Sequence, residues 1–155
     1  MSVDADVPAI ELDGLTKFYG PHRGIEDIDL IVEPGQVFGF LGPNGAGKST
    51  AMRVLLDFHR PTSGAARILG FDSRRDSIEV RNRTAYLAGD VALFERLTAR
   101  RQLEWLGELR GGVAPERIDA LAERVGLDLG REIGELSKGN RQKVGLVQAF
   151  MHDAD

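Results

Sequence analysis

Nine consecutive residues constrain this chain more than any other feature: Gly42-Pro43-Asn44-Gly45-Ala46-Gly47-Lys48-Ser49-Thr50. Within them Gly42, Gly47, Lys48 and Ser49 meet the pattern G-x-x-x-x-G-K-[ST]. Each residue type has a physical task. Glycine lets the backbone take positive φ and approach an anion closely. The N–H groups then converge on one concavity, and a following helix adds the positive end of its dipole. A lysine beside the last glycine reaches the β- and γ-phosphates of a nucleotide, and the Ser49 hydroxyl helps to hold Mg²⁺. The plain alternative is a glycine-rich turn before a helix. At background glycine usage, a chance match somewhere in a chain of this length occurs about 0.5% of the time. The pattern therefore predicts a loop that cradles the phosphates of a nucleotide such as ATP, with Mg²⁺ as companion ion; by itself it would suit a kinase, a GTPase or many ATPases.

The flanks agree with that reading. Gln36 to Leu41 is short, apolar and β-prone, as a fully buried strand would be. Ser49 to Phe58 reads as a helix with Met52, Leu55 and Leu56 on one face, broken by Arg60-Pro61-Thr62-Ser63-Gly64. Upstream, Ile10 to Lys17 reads as a strand broken by Asp13-Gly14, and Ile25 to Glu33 alternates as a half-buried strand does. Ala65 to Leu69 and Thr84 to Leu87 are further candidate strands. From Thr98 the character turns helical. Thr98 suits an N-cap for a helix carrying Leu103, Leu106 and Leu109. Pro115 suits the first turn of a second helix, and Gly126 its C-terminal cap. A third helix is expected from about Lys138 to Met151.

Composition limits the alternatives. The chain has 155 residues, enough for one domain with a real core. It contains no cysteine, which excludes disulfides, thiolate metal sites and a cysteine nucleophile. The net charge of -4 argues against nucleic acid as the main partner, since backbone phosphates are met by a basic surface. No apolar run approaches the roughly 20 residues that cross a bilayer, and the mixed, acidic start is unlike a signal peptide. His22, His59 and His152 are spaced as no metal site is.

Four stretches together resemble one family. Leu41 through Thr50 is similar to the Walker A loop of ABC-transporter ATPase subunits. Leu15-Thr16-Lys17-Phe18-Tyr19-Gly20 resembles their aromatic loop, and Arg60-Pro61-Thr62-Ser63-Gly64 the segment after their first helix. Leu136-Ser137-Lys138-Gly139-Asn140-Arg141-Gln142-Lys143 resembles the signature motif LSGGQ and its continuation. The LSKGN variant, with Tyr86-Leu87-Ala88-Gly89-Asp90, is most similar to export-type subunits.

The resemblance implies an α/β P-loop NTPase of the ABC type: a mixed sheet around the P-loop with a helical subdomain, truncated before the Walker B strand. Residues 1–8 would be a flexible tail and 9–155 an incomplete nucleotide-binding domain, its helical subdomain at about 95–137. It implies that Tyr19 stacks on adenine, as a flat ring with little entropy to lose can do. Gly42 through Thr50 would hold the phosphates, with Ser49 on the metal. The surface Leu136, Ser137, Lys138, Gly139 and Asn140 would bind ATP held by a second subunit in a head-to-tail dimer, although Ser137 read alone is a capping serine. A transmembrane permease would be the partner, placing the protein in the cytoplasm at the inner face of the membrane.

The sequence departs from the family in two ways. The glutamine of the loop after Thr84–Leu87 is replaced by Gly89, followed by Asp90, so metal and water contacts there lose their usual side chain. The Walker B strand with its aspartate, the catalytic glutamate and the switch histidine find no counterpart, and Asp155 follows no apolar strand. No catalytic residue is assigned. The resemblance thus implies ATP binding and hydrolysis as the energy-coupling subunit of an export-type transporter, with these 155 residues alone hydrolysis-deficient. The alternative is a nucleotide-binding module or fragment without turnover.

Overall fold

A computed structural model describes residues 7–152 and 154. Residues 1–6 of the expected tail, and Asp155, lie outside the described residues. The chain forms two compact units, divided between Arg83 and Thr84.

The first unit is built on a four-stranded antiparallel sheet of order β2-β1-β3-β4. Its strands are β1 (Ile10–Tyr19), β2 (His22–Val32), β3 (Ser63–Ile68) and the short β4 (Phe71–Asp72). β1 and β2 form a hairpin closed by the Tyr19↔His22 pair across Gly20-Pro21. Asp13-Gly14 does not break β1. It shifts the register between Leu12 and Leu15, and the Gly14 N–H donates to the Asp29 carboxylate at 2.7 Å. An extra residue is absorbed as a bulge because its freed backbone group finds another acceptor. Helix α1 (Lys48–Leu55) lays Ala51, Val54 and Leu55 on this sheet, packing against Leu12, Leu15, Ile25, Ala66 and Ile68. The buried stripe thus runs through 51, 54 and 55, one helical face by spacing. Met52, expected on that face, is exposed. A short helix, α2 (Ser77–Arg83), follows and buries Val80.

The second unit is helical. Helix α3 (Ala99–Glu108) starts at Thr98, whose side chain accepts the Arg101 N–H. Helix α4 (Pro115–Val125) has its proline in the first turn and ends on Gly126 in the left-handed conformation. A 3-10 turn (Ile133–Glu135) leads into α5 (Lys138–Phe150). Leu103, Ile118, Ile133, Val144, Val147 and Met151 form a core from all of these, each under 2% exposed. Leu109, expected on the apolar face of α3, is exposed beyond its end. No described helix is long and apolar enough to cross a membrane.

Two expected strands are absent. Residues 36–41 and 84–87 carry no strand pairing, and Val37, Phe38 and Leu41 are exposed. A strand exists only when a neighbour takes its N–H and C=O groups. The described residues give neither segment a strand partner, although Phe40 still packs against the core of the first unit, so β-propensity has no ladder to act on. The sheet is accordingly antiparallel throughout rather than mixed.

Candidate phosphate-binding site

The glycine-rich loop spans the interval between residue 41 and α1. Its backbone turns through Pro43 to Ala46, where the Ala46 N–H donates to the Pro43 carbonyl at 3.2 Å. The loop then enters α1 through Gly47, the N-cap, at φ 90°. This position is open to glycine for two reasons. An L-residue is strained at that φ, and a Cβ would stand 2.3 Å from Ile25 Cγ2 and 2.4 Å from the Gly24 carbonyl oxygen. The loop is thereby pressed against the edge of β2.

Gly47 offers no side-chain cap. The first N–H groups of a helix have no acceptor within it, so Lys48, Ser49 and Thr50 open α1 with donors that the helix itself does not satisfy. Their dipoles add a positive field at the same place. The Lys48 ammonium folds across the loop and donates to the carbonyls of Gly42 at 2.6 Å and Pro43 at 2.8 Å. One cation, a bare helix start and a glycine backbone therefore meet on an exposed surface. This donor set fits the phosphates of a nucleotide. Ser49 is exposed in the first turn, where its hydroxyl can serve as a metal ligand.

Tyr19 stands at the end of the β1–β2 hairpin, 40% exposed. Its ring is brought to the same unit as the loop by one contact the sequence did not announce. A Cβ on Gly24 would stand 2.8 Å from Tyr19 Cε2 and 3.2 Å from Thr50 Cγ2. Gly24 thus lies between the tyrosine and the start of α1, while its carbonyl abuts Gly47. The Lys17 ammonium lies 5.0 Å from the Tyr19 ring centroid. His59 meets the ring edge-on, and its Nδ1 is 2.5 Å from the Tyr19 hydroxyl. His59 carries no local signal of its role, because its contact with Tyr19 spans 40 residues; Gly24 shares the hairpin with Tyr19, but its contacts with Gly47 and Thr50 are long-range.

In the second unit Leu136 is buried, and Ser137 caps α5 by accepting the Asn140 N–H at 3.3 Å. Lys138 and Gly139 are exposed, with open space around Gly139. Arg141 splints the approach. Its guanidinium donates to the carbonyls of Leu136 at 3.2 Å and Gly134 at 3.0 Å and pairs with Glu95 at 3.3 Å. Gly89 and Asp90 lie in an exposed, irregular stretch.

Residues 25–155 match a family model described as ABC transporter. The ABC transporter ATP-binding protein NatA of Bacillus subtilis is 37% identical over 139 residues, covering 86% of this chain and 56% of that protein. The daunorubicin resistance ATP-binding protein DrrA3 of Streptomyces coeruleorubidus is 38% identical over 152 residues, covering 95% and 48%. Among solved structures, an ATP-binding subunit of an ABC transporter is similar with a TM-score of 0.79 at 28% identity, over 92% of this chain and 62% of that one. The chain spans about half the length of these curated relatives.

Proposed function

This chain belongs to the ABC transporter family, and on that premise we propose that it binds MgATP as part of the energy-coupling subunit of an export-type transporter. The observation that carries the reading is the start of α1. An uncapped helix entered through Gly47 stands beside the Lys48 ammonium. In this reading Gly42 through Thr50 hold the phosphates, Lys48 leaves its loop carbonyls for the β- and γ-phosphates, and the Ser49 hydroxyl faces the metal. Tyr19 stacks on adenine. Held by the Ser49 hydroxyl, Mg²⁺ would supply neutralisation of the phosphate charge.

Leu136, Ser137, Lys138, Gly139 and Asn140 form the surface that meets ATP held by a second subunit, and a transmembrane permease is the partner. The resistance name of DrrA3 supports the export assignment. Hydrolysis is the work of the complete subunit. By themselves these residues bind without measurable turnover, since none of them reads as the group that orients water. Measurable phosphate release that disappears in Lys48→Ala would overturn that last point.

The central test is calorimetric titration of MgATP into wild type and Lys48→Ala. Loss of the charge-assisted contacts should weaken binding at least tenfold, the effect of about 1.5–3 kcal/mol. Equal affinity would remove the phosphate assignment.

A further inference from the structure

We infer that His59 is a positioning residue for the nucleotide base, acting through Tyr19; this rests on the reading of Tyr19 as the base-stacking ring. Tyr19 ends β1 and is 40% exposed, and within the hairpin Gly24 and Lys17 lie against its ring without holding its hydroxyl. His59 is fixed from the other side. Its N–H donates to the Arg53 carbonyl at 3.1 Å, which ties its backbone to the end of α1. From that anchor its ring makes two separate contacts. The Tyr19 hydroxyl lies 2.5 Å from Nδ1, and the rings meet edge to face, 5.4 Å between centroids at 79°. With the imidazole proton on Nε2, the hydroxyl donates to the Nδ1 lone pair.

The consequence is geometric. α1 begins at the phosphate loop and ends next to His59. The same helix therefore sets the phosphate end of the ligand at its start and the plane of the base-stacking ring at its finish. Stacking requires a ring held in one orientation, and fixing it beforehand removes an ordering cost from binding. His59 should then contribute to affinity only where the ligand has a base.

The experiment compares MgATP with magnesium tripolyphosphate, titrated into the full chain. His59→Leu removes the acceptor, and His59→Asn returns one near the Nδ1 position. Tyr19→Phe keeps the ring and removes the hydroxyl. We expect His59→Leu and Tyr19→Phe each to weaken MgATP about three- to tenfold, as loss of one hydrogen bond does. The double variant should be no weaker than either, His59→Asn should recover most of the loss, and tripolyphosphate affinity should stay unchanged throughout. Equal weakening toward both ligands would overturn the inference, because His59 would then act on the loop. Wild-type MgATP affinity in His59→Leu, with weakened affinity in Tyr19→Ala, would overturn it while leaving the base-stacking reading intact. If Tyr19→Ala also bound MgATP normally, the base-stacking reading itself would fall.

Discussion

At the scale of single residues, the phosphate loop shows how little of a motif is chemistry and how much is space. Lys48 and Ser49 carry the polar side chains, yet the loop keeps its path because Gly47 has no Cβ. A methyl there would meet Ile25 Cγ2 and the Gly24 carbonyl inside 2.5 Å. Backbone cannot swing aside as a side chain end can. Gly45 also has positive φ, at 84°, but nothing lies within 4 Å of its missing Cβ. The two glycines should therefore separate experimentally. We expect Gly45→Ala to cost about 1 kcal/mol of stability, the conformational term alone. Gly47→Ala should cost more than about 3 kcal/mol, or reshape the loop and abolish MgATP binding. Urea unfolding and nucleotide titration of both variants check this, and equal losses would mean that conformation rather than contact governs the loop.

At the scale of elements, helix ends decide more than helix interiors. Thr98 and Ser137 each give a side-chain oxygen to a first-turn N–H, from Arg101 and Asn140 respectively. Ser137→Ala should destabilise the helical unit by about 1 kcal/mol while leaving the MgATP affinity of the single chain unchanged. If ATP-driven dimers weaken beyond that loss, Ser137 does more than cap. A second junction, between β4 and α2, is sensitive to pH. The Arg75 N–H holds the Asp72 carboxyl below its ordinary value of 3.8; partial burial opposes this, and the Arg74 N–H adds to it. Both N–H groups reach Oδ1 at 2.9 Å. A carboxyl with a depressed folded value stabilises the fold above its unfolded value, and the contribution disappears as pH falls through the folded one. The stability gap between wild type and Asp72→Ala should thus be flat at neutral pH and narrow below 3.8. A gap that does not change under acid would show that the carboxylate charge is irrelevant there.

At the scale of the whole molecule, strand pairing separates β1 from residues 36–41. β1 lies between β2 and β3, and its register is fixed on both sides. Residues 36–41, as apolar as any strand here, are unpaired, with Val37 and Leu41 more than 90% exposed. Hydrogen exchange should read this directly. Amides of β1 should be protected by the opening free energy of the unit, and those of Val37 to Leu41 should exchange near the unfolded rate. Protection at 37–41 in the isolated chain would mean that it finds a neighbour by self-association. What the sequence determined alone is whatever depends on near neighbours. The Thr98 and Ser137 caps, the Pro115 start and the Gly126 stop are each set by interactions within a few residues, and all were legible in the order of residue types. Tertiary structure decided whatever needs a distant partner. It made a bulge of Asp13-Gly14, left 36–41 and 84–87 without strand pairing, turned Met52 outward, set His59 beside Tyr19 and brought Gly24 against Gly47 and Thr50. Propensity proposes a strand or a contact, but backbone hydrogen bonds and side-chain packing across long separations exist only once the chain has closed on itself.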